Sequence, residues 1–316
     1  MSISRVSTYQ VNKSFSTQLN NTQSKFNQLT EQISSGVKIN STTDDPVAAR
    51  SIIKANKELS ALEEYKENIE LADVELSQID STLGAVNDQL NRAYDLAMQI
   101  SNGTMGADEL IAYQEELDSI IDNVTRLANT QYNDQYLFAG TRTTTPPYSE
   151  DTNGLVYAGN NEKRYAIIGE NKTEEINLIG NELFGQATFT KDVDGNITID
   201  ESNTSGALGA LYQLKAAIQD SANVDDSKVK SAMGGINDGI DTITAGRTKV
   251  GAVGETFDDM LTTYENDSLN LTELRSNLQD TDLPSAISNW YSVYQSLQAS
   301  YSMMGQTMNV SLLNFI

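Results

Sequence analysis

Near the start of the chain Phe15, Leu19, Phe26, Leu29 and Ile33, with Thr22 as the one weak member, recur at alternating spacings of four and three. That spacing is the seam of a coiled coil, and it restricts the chain to folds in which long helices lie side by side. The same rhythm returns at the other end in Ile287, Trp290, Tyr294, Leu297, Tyr301, Met304 and Met308. Thr22 apart, these residues form the candidate assembly interface, through which the two ends pack on each other and on neighbouring copies of the chain. The C-terminal seam is rich in aromatic and Met side chains. It is expected to be the stronger inter-subunit anchor, with the N-terminal helix packing around it.

Between the ends the pattern is punctuated rather than lost. Gly36 supplies a helix stop and residues 40–44 have loop composition. Asp45 can cap a new helix, with Pro46 at its first position, where a missing N–H costs nothing. That helix carries Ile52, Ala55, Leu59 and Leu62, slips phase, and continues from Tyr65 through Ile69, Leu76, Leu83 and Leu90 to Ile100. At 1.5 Å per residue it would span roughly 80 Å. A Gly-containing turn at 102–106 and the seam from Leu110 to Leu127 predict an antiparallel partner.

Composition changes at Gly140. Short β-like runs follow at 155–157, 164–168 and 175–179, then a hairpin joining 188–190 to 197–199 about Asp194-Gly195. Helical pattern resumes near Gly206. A long seam runs from Val229 to Leu278 with Arg247, Gly254, Ser268 and Arg275 in positions where apolar residues belong. Asp280 to Pro284 breaks it. The fold class expected is mainly α with a small β-rich insert: elongated, with nested N- and C-terminal helices forming a coiled coil and a helical bundle. The expected domains are 1–44 plus 282–316 (terminal helices), 45–139 plus 206–281 (bundle) and 140–205 (outer β domain).

Composition narrows the function. Only 38% of the residues are hydrophobic, which suits long helices with narrow seams. The net charge of −23 disfavours nucleic acid and anionic membrane surfaces as partners, and keeps a self-associating subunit soluble. No apolar run reaches membrane-spanning length, and the first residues do not read as a cleaved secretory leader. The chain has neither Cys nor His, so it lacks thiolate metal sites, disulfides and the usual general base at neutral pH. Glu63-Glu64, Glu115-Glu116 and Asp258-Asp259 are helix neighbours pointing about 100° apart, a solvated face rather than a converging catalytic pair. Asp192 to Asn196 lacks the flanking helices and the position-12 Glu of a calcium loop; Asn203 stands there. No enzyme activity, metal or cofactor is expected.

Several motifs carry a resemblance. Ser34-Ser35-Gly36-Val37-Lys38-Ile39-Asn40 followed by Asp44-Asp45-Pro46-Val47-Ala48 resembles a region shared by bacterial flagellins and hook-associated proteins. Tyr136-Leu137-Phe138-Ala139-Gly140-Thr141, Thr145-Pro146-Pro147-Tyr148 and Val156-Tyr157-Ala158-Gly159-Asn160 are similar to the entry into the outer domain of the junction members of that family. Arg247-Thr248-Lys249-Val250-Gly251-Ala252 and the terminal run Ser311 to Ile316 resemble its C-terminal region. Asn314 stands there where Asp is more usual. The resemblance covers nearly the whole chain. It implies a secreted structural subunit of the motility apparatus, exported unfolded by the flagellar type III route and placed between hook and filament. The partners it implies are hook-associated protein 1, flagellin, further copies of itself and a flagellar export chaperone. Flagellin itself is the alternative reading; a surface adhesin on a flagellin-like scaffold is a more distant one.

Overall fold

The computed structural model describes residues 2–102, 106–151, 154–192, 195–219 and 224–313, and their side chains except those of residues 2–9, 11–12, 107 and 306–313. In chain order the elements are α1 (Ser2–Ser35), α2 (Pro46–Asn102), α3 (Ala107–Ala128), β1 (Gln131–Tyr132), β2 (Gln135–Tyr136), β3 (Tyr148–Asp151), β4 (Gly154–Tyr157), β5 (Tyr165–Gly169), β6 (Lys172–Glu175), α4 (Gly180–Phe184), β7 (Ala187–Lys191), β8 (Ile197–Ile199), α5 (Gly206–Ile218), α6 (Asp226–Gln279) and α7 (Leu283–Leu313). The chain is thus mainly helical with a small β region, as its periodicity predicts. The helix stops and starts follow local chemistry. Gly36 sits at φ 76°, a left-handed backbone that ends α1. Asp45 Oδ1 accepts the N–H groups of Val47 at 2.9 Å and Ala48 at 3.0 Å, capping α2.

Two compact units emerge, Met1–Ala61 with Glu265–Ile316, and Leu62–Tyr264. The boundary in α2, between Ala61 and Leu62, falls next to the phase slip of its seam between Leu62 and Tyr65. In the second unit, α2 buries Ile69, Leu76, Leu83, Leu90 and Ala97 at strict seven-residue spacing, with Ile79 and Val86 between them. α6 buries Val229, Ile236, Ile243, Val250 and Phe257 at the same spacing, and α3 adds Leu117, Ile121 and Val124. Each helix thus buries one narrow apolar seam in a shared core. Arg247, which interrupts the α6 seam, donates from Nε to Asp80 Oδ1 at 2.9 Å and from Nη2 to Oδ2 at 3.2 Å. The interruption is a bidentate clamp between α6 and α2.

The β elements form an antiparallel sheet of order β3-β4-β7-β8 and two separate hairpins, β1-β2 and β5-β6. The predicted hairpin is β7-β8, pairing Phe189 with Ile199 and Lys191 with Ile197. One expectation fails: the run at 175–179 leaves the β layer after Glu175 and leads into α4, which together with β3 has no clear periodic signal. Asn177 explains the departure. It is buried, and its side chain accepts the Arg164 N–H at 2.7 Å and donates to Glu162 O at 3.3 Å.

The glycine-bearing motifs at 136–141 and 156–160 prove to be one knot. Tyr157 Oη lies 3.0 Å from Phe138 O and 2.9 Å from Asn160 O, where its hydroxyl donates. Asn160 Oδ1 accepts the Thr141 N–H at 2.7 Å. A side chain on Gly159 would strike the Tyr157 ring, its Cβ 2.4 Å from the phenol oxygen. Burial pushes the Tyr157 hydroxyl up to about 12. Lys163 and Lys249 both hold Glu175, at 2.8 Å each, fixing β6 to α6. Burial alone would raise the Glu175 carboxyl, but those two hydrogen bonds hold it below the usual range.

Asp73 of α2 is the opposite case. Partial burial, and then the charge of Asp258 on α6, raise its carboxyl above the ordinary value. A carboxylate whose folded pKa is raised subtracts stability when ionised. The second unit should therefore gain stability as pH falls from neutral through the raised value. Asp73→Asn is expected to raise the thermal midpoint at neutral pH and to lose that advantage in acid. A scan of both proteins against pH checks this, and an equal midpoint at every pH would refute it.

Candidate assembly interface

In the first unit α1 and α7 lie antiparallel. Trp290 Nε1 donates to Thr30 Oγ1 at 2.9 Å and Tyr301 Oη to Gln23 Oε1 at 3.0 Å. Phe26 sits between, its ring 5.3 Å from Trp290 and 6.0 Å from Tyr294, and the last two stack at 5.4 Å with planes 2° apart. The motif at 34–48 closes this pair at its base. Lys38 N–H donates to Gln279 O at 2.7 Å and Thr281 N–H to Gly36 O at 2.9 Å, an antiparallel bridge joining the α1–α2 loop to the α6–α7 junction. Asp44 Oδ2 gathers the N–H groups of Asn40 and Ser41. Arg275, another interruption of the α6 seam, reaches Asn56 Oδ1 at 3.3 Å on α2.

The candidate interface residues divide. Leu29 and Leu297 are buried; Phe15, Leu19, Phe26, Ile33, Trp290 and Met304 are half-buried; Ile287, Tyr294 and Tyr301 are exposed at 42%, 37% and 52%. The side chain of Met308 and the terminal run 314–316 lie outside the described residues. The reason for the division is angular. Successive helix residues turn by 100°, so Ala286, Trp290, Val293, Leu297 and Met304 share one strip, which faces α1. Leu283, Ile287, Tyr291, Tyr294 and Tyr301 form the adjoining strip, which stays mostly exposed; α1 meets it only at the edge, through Phe26 against Tyr294 and Gln23 bonded to Tyr301. The apolar face of α7 is wider than the strip that α1 covers.

A second signal lies in the sequence itself: α7 contains no Asp, Glu, Lys or Arg. The first unit holds nine of the 44 acidic residues and eight of the 21 basic ones, so almost all of the net negative charge lies in the second unit. Burying a charge without a partner costs several kcal/mol. A helix free of charge can be surrounded by protein on every side at no such cost.

Few of the described side chains of α1 and α7 are fully buried, so the pair is expected to be marginal alone. Each large apolar side chain contributes about 1.5–3 kcal/mol on burial, whereas ordering backbone costs roughly 1–2 kcal/mol per residue. In dilute monomer, limited proteolysis should remove residues 1–40 and 285–316 well before it cuts the second unit. Equal resistance would count against a pair that needs neighbours.

Comparison with known sequences fits this geometry. The pattern of the bacterial flagellin N-terminal helical region matches residues 6–143, and that of the C-terminal helical region matches residues 233–316. Together they take in more than two thirds of the chain, which belongs to the bacterial flagellin family. The relatives it resembles include both flagellins, among them that of Bacillus subtilis at 25% identity over 87% of each chain, and hook-associated proteins. It is 25% identical over 314 residues to flagellar hook-associated protein 3 of Salmonella typhimurium, covering 98% of each chain. It is 24% identical over 300 residues to that of Escherichia coli, covering 93% of this chain and 94% of that one. A solved structure described as a putative flagellar hook-associated protein from Vibrio parahaemolyticus shares the fold, with a TM-score of 0.63 at 21% identity over 75% of this chain and 100% of that one.

Proposed function

We propose that this chain is a hook–filament junction protein of the bacterial flagellum: a non-catalytic subunit that links hook-associated protein 1 to the first flagellin subunits. The observation that carries the reading is end-to-end similarity to hook-associated protein 3 in a chain whose α7 is charge-free and half covered. Copies would assemble as a ring, each α7 receiving on its exposed strip a helix from a neighbour. The seam residues from Phe15 to Ile33 and from Ile287 to Met308 are its assembly interface. Residues 1–44 with 282–316 act as the terminal assembly domain, 45–139 with 206–281 as the supporting bundle and 140–205 as the outer β module. Before assembly a flagellar export chaperone would cover the terminal helices, and the mature subunit resides outside the cell. Deleting the gene and imaging the surface appendages tests this. Hooks without filaments, with monomeric flagellin in the medium, are expected. Normal filaments would exclude a junction role, and loss of filament protein itself would favour flagellin.

A further inference from the structure

Outside the terminal helices, two further surfaces of α2 are apolar, exposed and opposite in charge. In its first turns, Arg50, Lys54 and Lys57 share one face with Val47 and Ile53, which are 67% and 59% exposed. Lys54 has Glu58 nearby at 3.5 Å on the same helix, an exposed pair that leaves the face net positive. Further along, Glu63, Glu67 and Glu70 flank Leu71 and Val74, 63% and 48% exposed. β5 extends this second surface. Its Ala166 and Ile168 point into the core while Tyr165 and Ile167, 57% and 58% exposed, point outward. A half-covered hairpin ordinarily presents polar residues on that outer side. Here it continues the apolar groove beside Leu71. Asn68 Nδ2 donates to Ile167 O at 2.9 Å, and Arg164 pairs with Glu75, so the groove is held rigidly. Among the described residues, Arg50, Lys57, Glu67 and Glu70 form no ion pair.

We infer that these two surfaces bind each other between copies: the basic apolar start of α2 in one copy docks on the acidic apolar groove of α2 and β5 in the next. The occupant is a second copy because the charge signs are complementary within one sequence. On a chain of net charge −23, the start of α2 is an exposed apolar surface of positive sign. The two surfaces differ, so the contact is heterologous and propagates from copy to copy, as a ring or helical array requires. This rests on the self-assembly reading above, but it adds a contact that the terminal helices do not provide. Opposed charge fixes the register of neighbours and excludes like-with-like pairing.

The absence of Cys allows a direct test in the full chain. The double variant Ile53→Cys, Leu71→Cys, expressed in place of the native protein, should enter the appendage. Mild oxidation of isolated appendages should then give a ladder of cross-linked species, and neither single variant should extend beyond a dimer. Incorporation without a ladder would overturn the contact while leaving the junction role standing. Failure of the native chain to reach the appendage would remove both. Charge exchange supplies the second arm. Lys54→Glu with Lys57→Glu, or Glu67→Lys with Glu70→Lys, should lower incorporation at least tenfold while circular dichroism stays native. Combining all four substitutions should restore it. Normal incorporation of either pair alone, or no recovery on combination, would refute the inference.

Discussion

Gly185→Ala should destabilise the second unit by about 4 kcal/mol, among the largest effects expected of a single methyl group. Two independent causes act together. Gly185 adopts φ 69° and ψ −150°, a conformation nearly closed to residues with a side chain. The added Cβ would also lie 1.9 Å from Ser205 O, and Gly206 at the start of α5, with φ 68°, cannot retreat because its own Cα faces Gly185. The crossing is fixed by Gln186 N–H to Ser205 O at 3.0 Å and Ser205 N–H to Gln186 O at 2.9 Å, and by the buried Tyr148 hydroxyl donating to Gly185 O at 2.8 Å. Opening it would disturb α4, β7 and the start of α5 together. Denaturant unfolding followed by circular dichroism measures the loss. Gly251→Ala is the control. Gly251 lies in the exposed interior of α6 with open space around it, so replacement should stabilise by about 0.5–1 kcal/mol. Equal midpoints for the two variants would refute the steric account.

That crossing shows where sequence reading stops. Helices announce themselves because the seam repeats many times: α1, α2, α6 and α7 are legible in the four-three spacing of their apolar and aromatic residues, and their boundaries in Gly36, Asp45 and Pro284. β3 and α4 are four and five residues long, too short for any period to establish itself. Gly185 and Gly206 are glycines for a reason that exists only once two distant segments meet. Arg247 and Arg275 read as faults in a seam because their partners, Asp80 and Asn56, lie on another helix. At the proposed interface the apolar residues were legible but their division was not. The spacing 287, 290, 294, 297, 301 and 304 marks the middle of a wide face, and which half α1 covers depends on how it settles in three dimensions. The missing charge of α7 needed no structure at all; it is an absence, and periodic analysis counts only what is present.

The two halves of that face can be separated by experiment. Leu297 is 6% exposed between α1 and α7, whereas Ile287 is 42% exposed on the uncovered strip. Leu297→Asp removes a buried apolar side chain and puts an unpaired carboxylate in its place, at a cost of about 3–5 kcal/mol. A marginal helix pair cannot absorb that, so α1 and α7 should separate while the second unit, which shares none of these contacts, keeps its unfolding midpoint. Ile287→Asp puts its charge in water in the monomer and should leave the pair intact. Trp290 is the sole tryptophan, and it bonds Thr30 across the pair, so its fluorescence reports the pairing. The emission is expected to shift to the red in Leu297→Asp and to stay unchanged in Ile287→Asp. Both variants should nonetheless fail to enter the appendage, the first because the pair has opened. The second should fail because a neighbour's helix would have to bury the new carboxylate. Incorporation of Ile287→Asp at normal levels would mean that the uncovered strip meets only solvent, and the assembly interface would have to lie elsewhere.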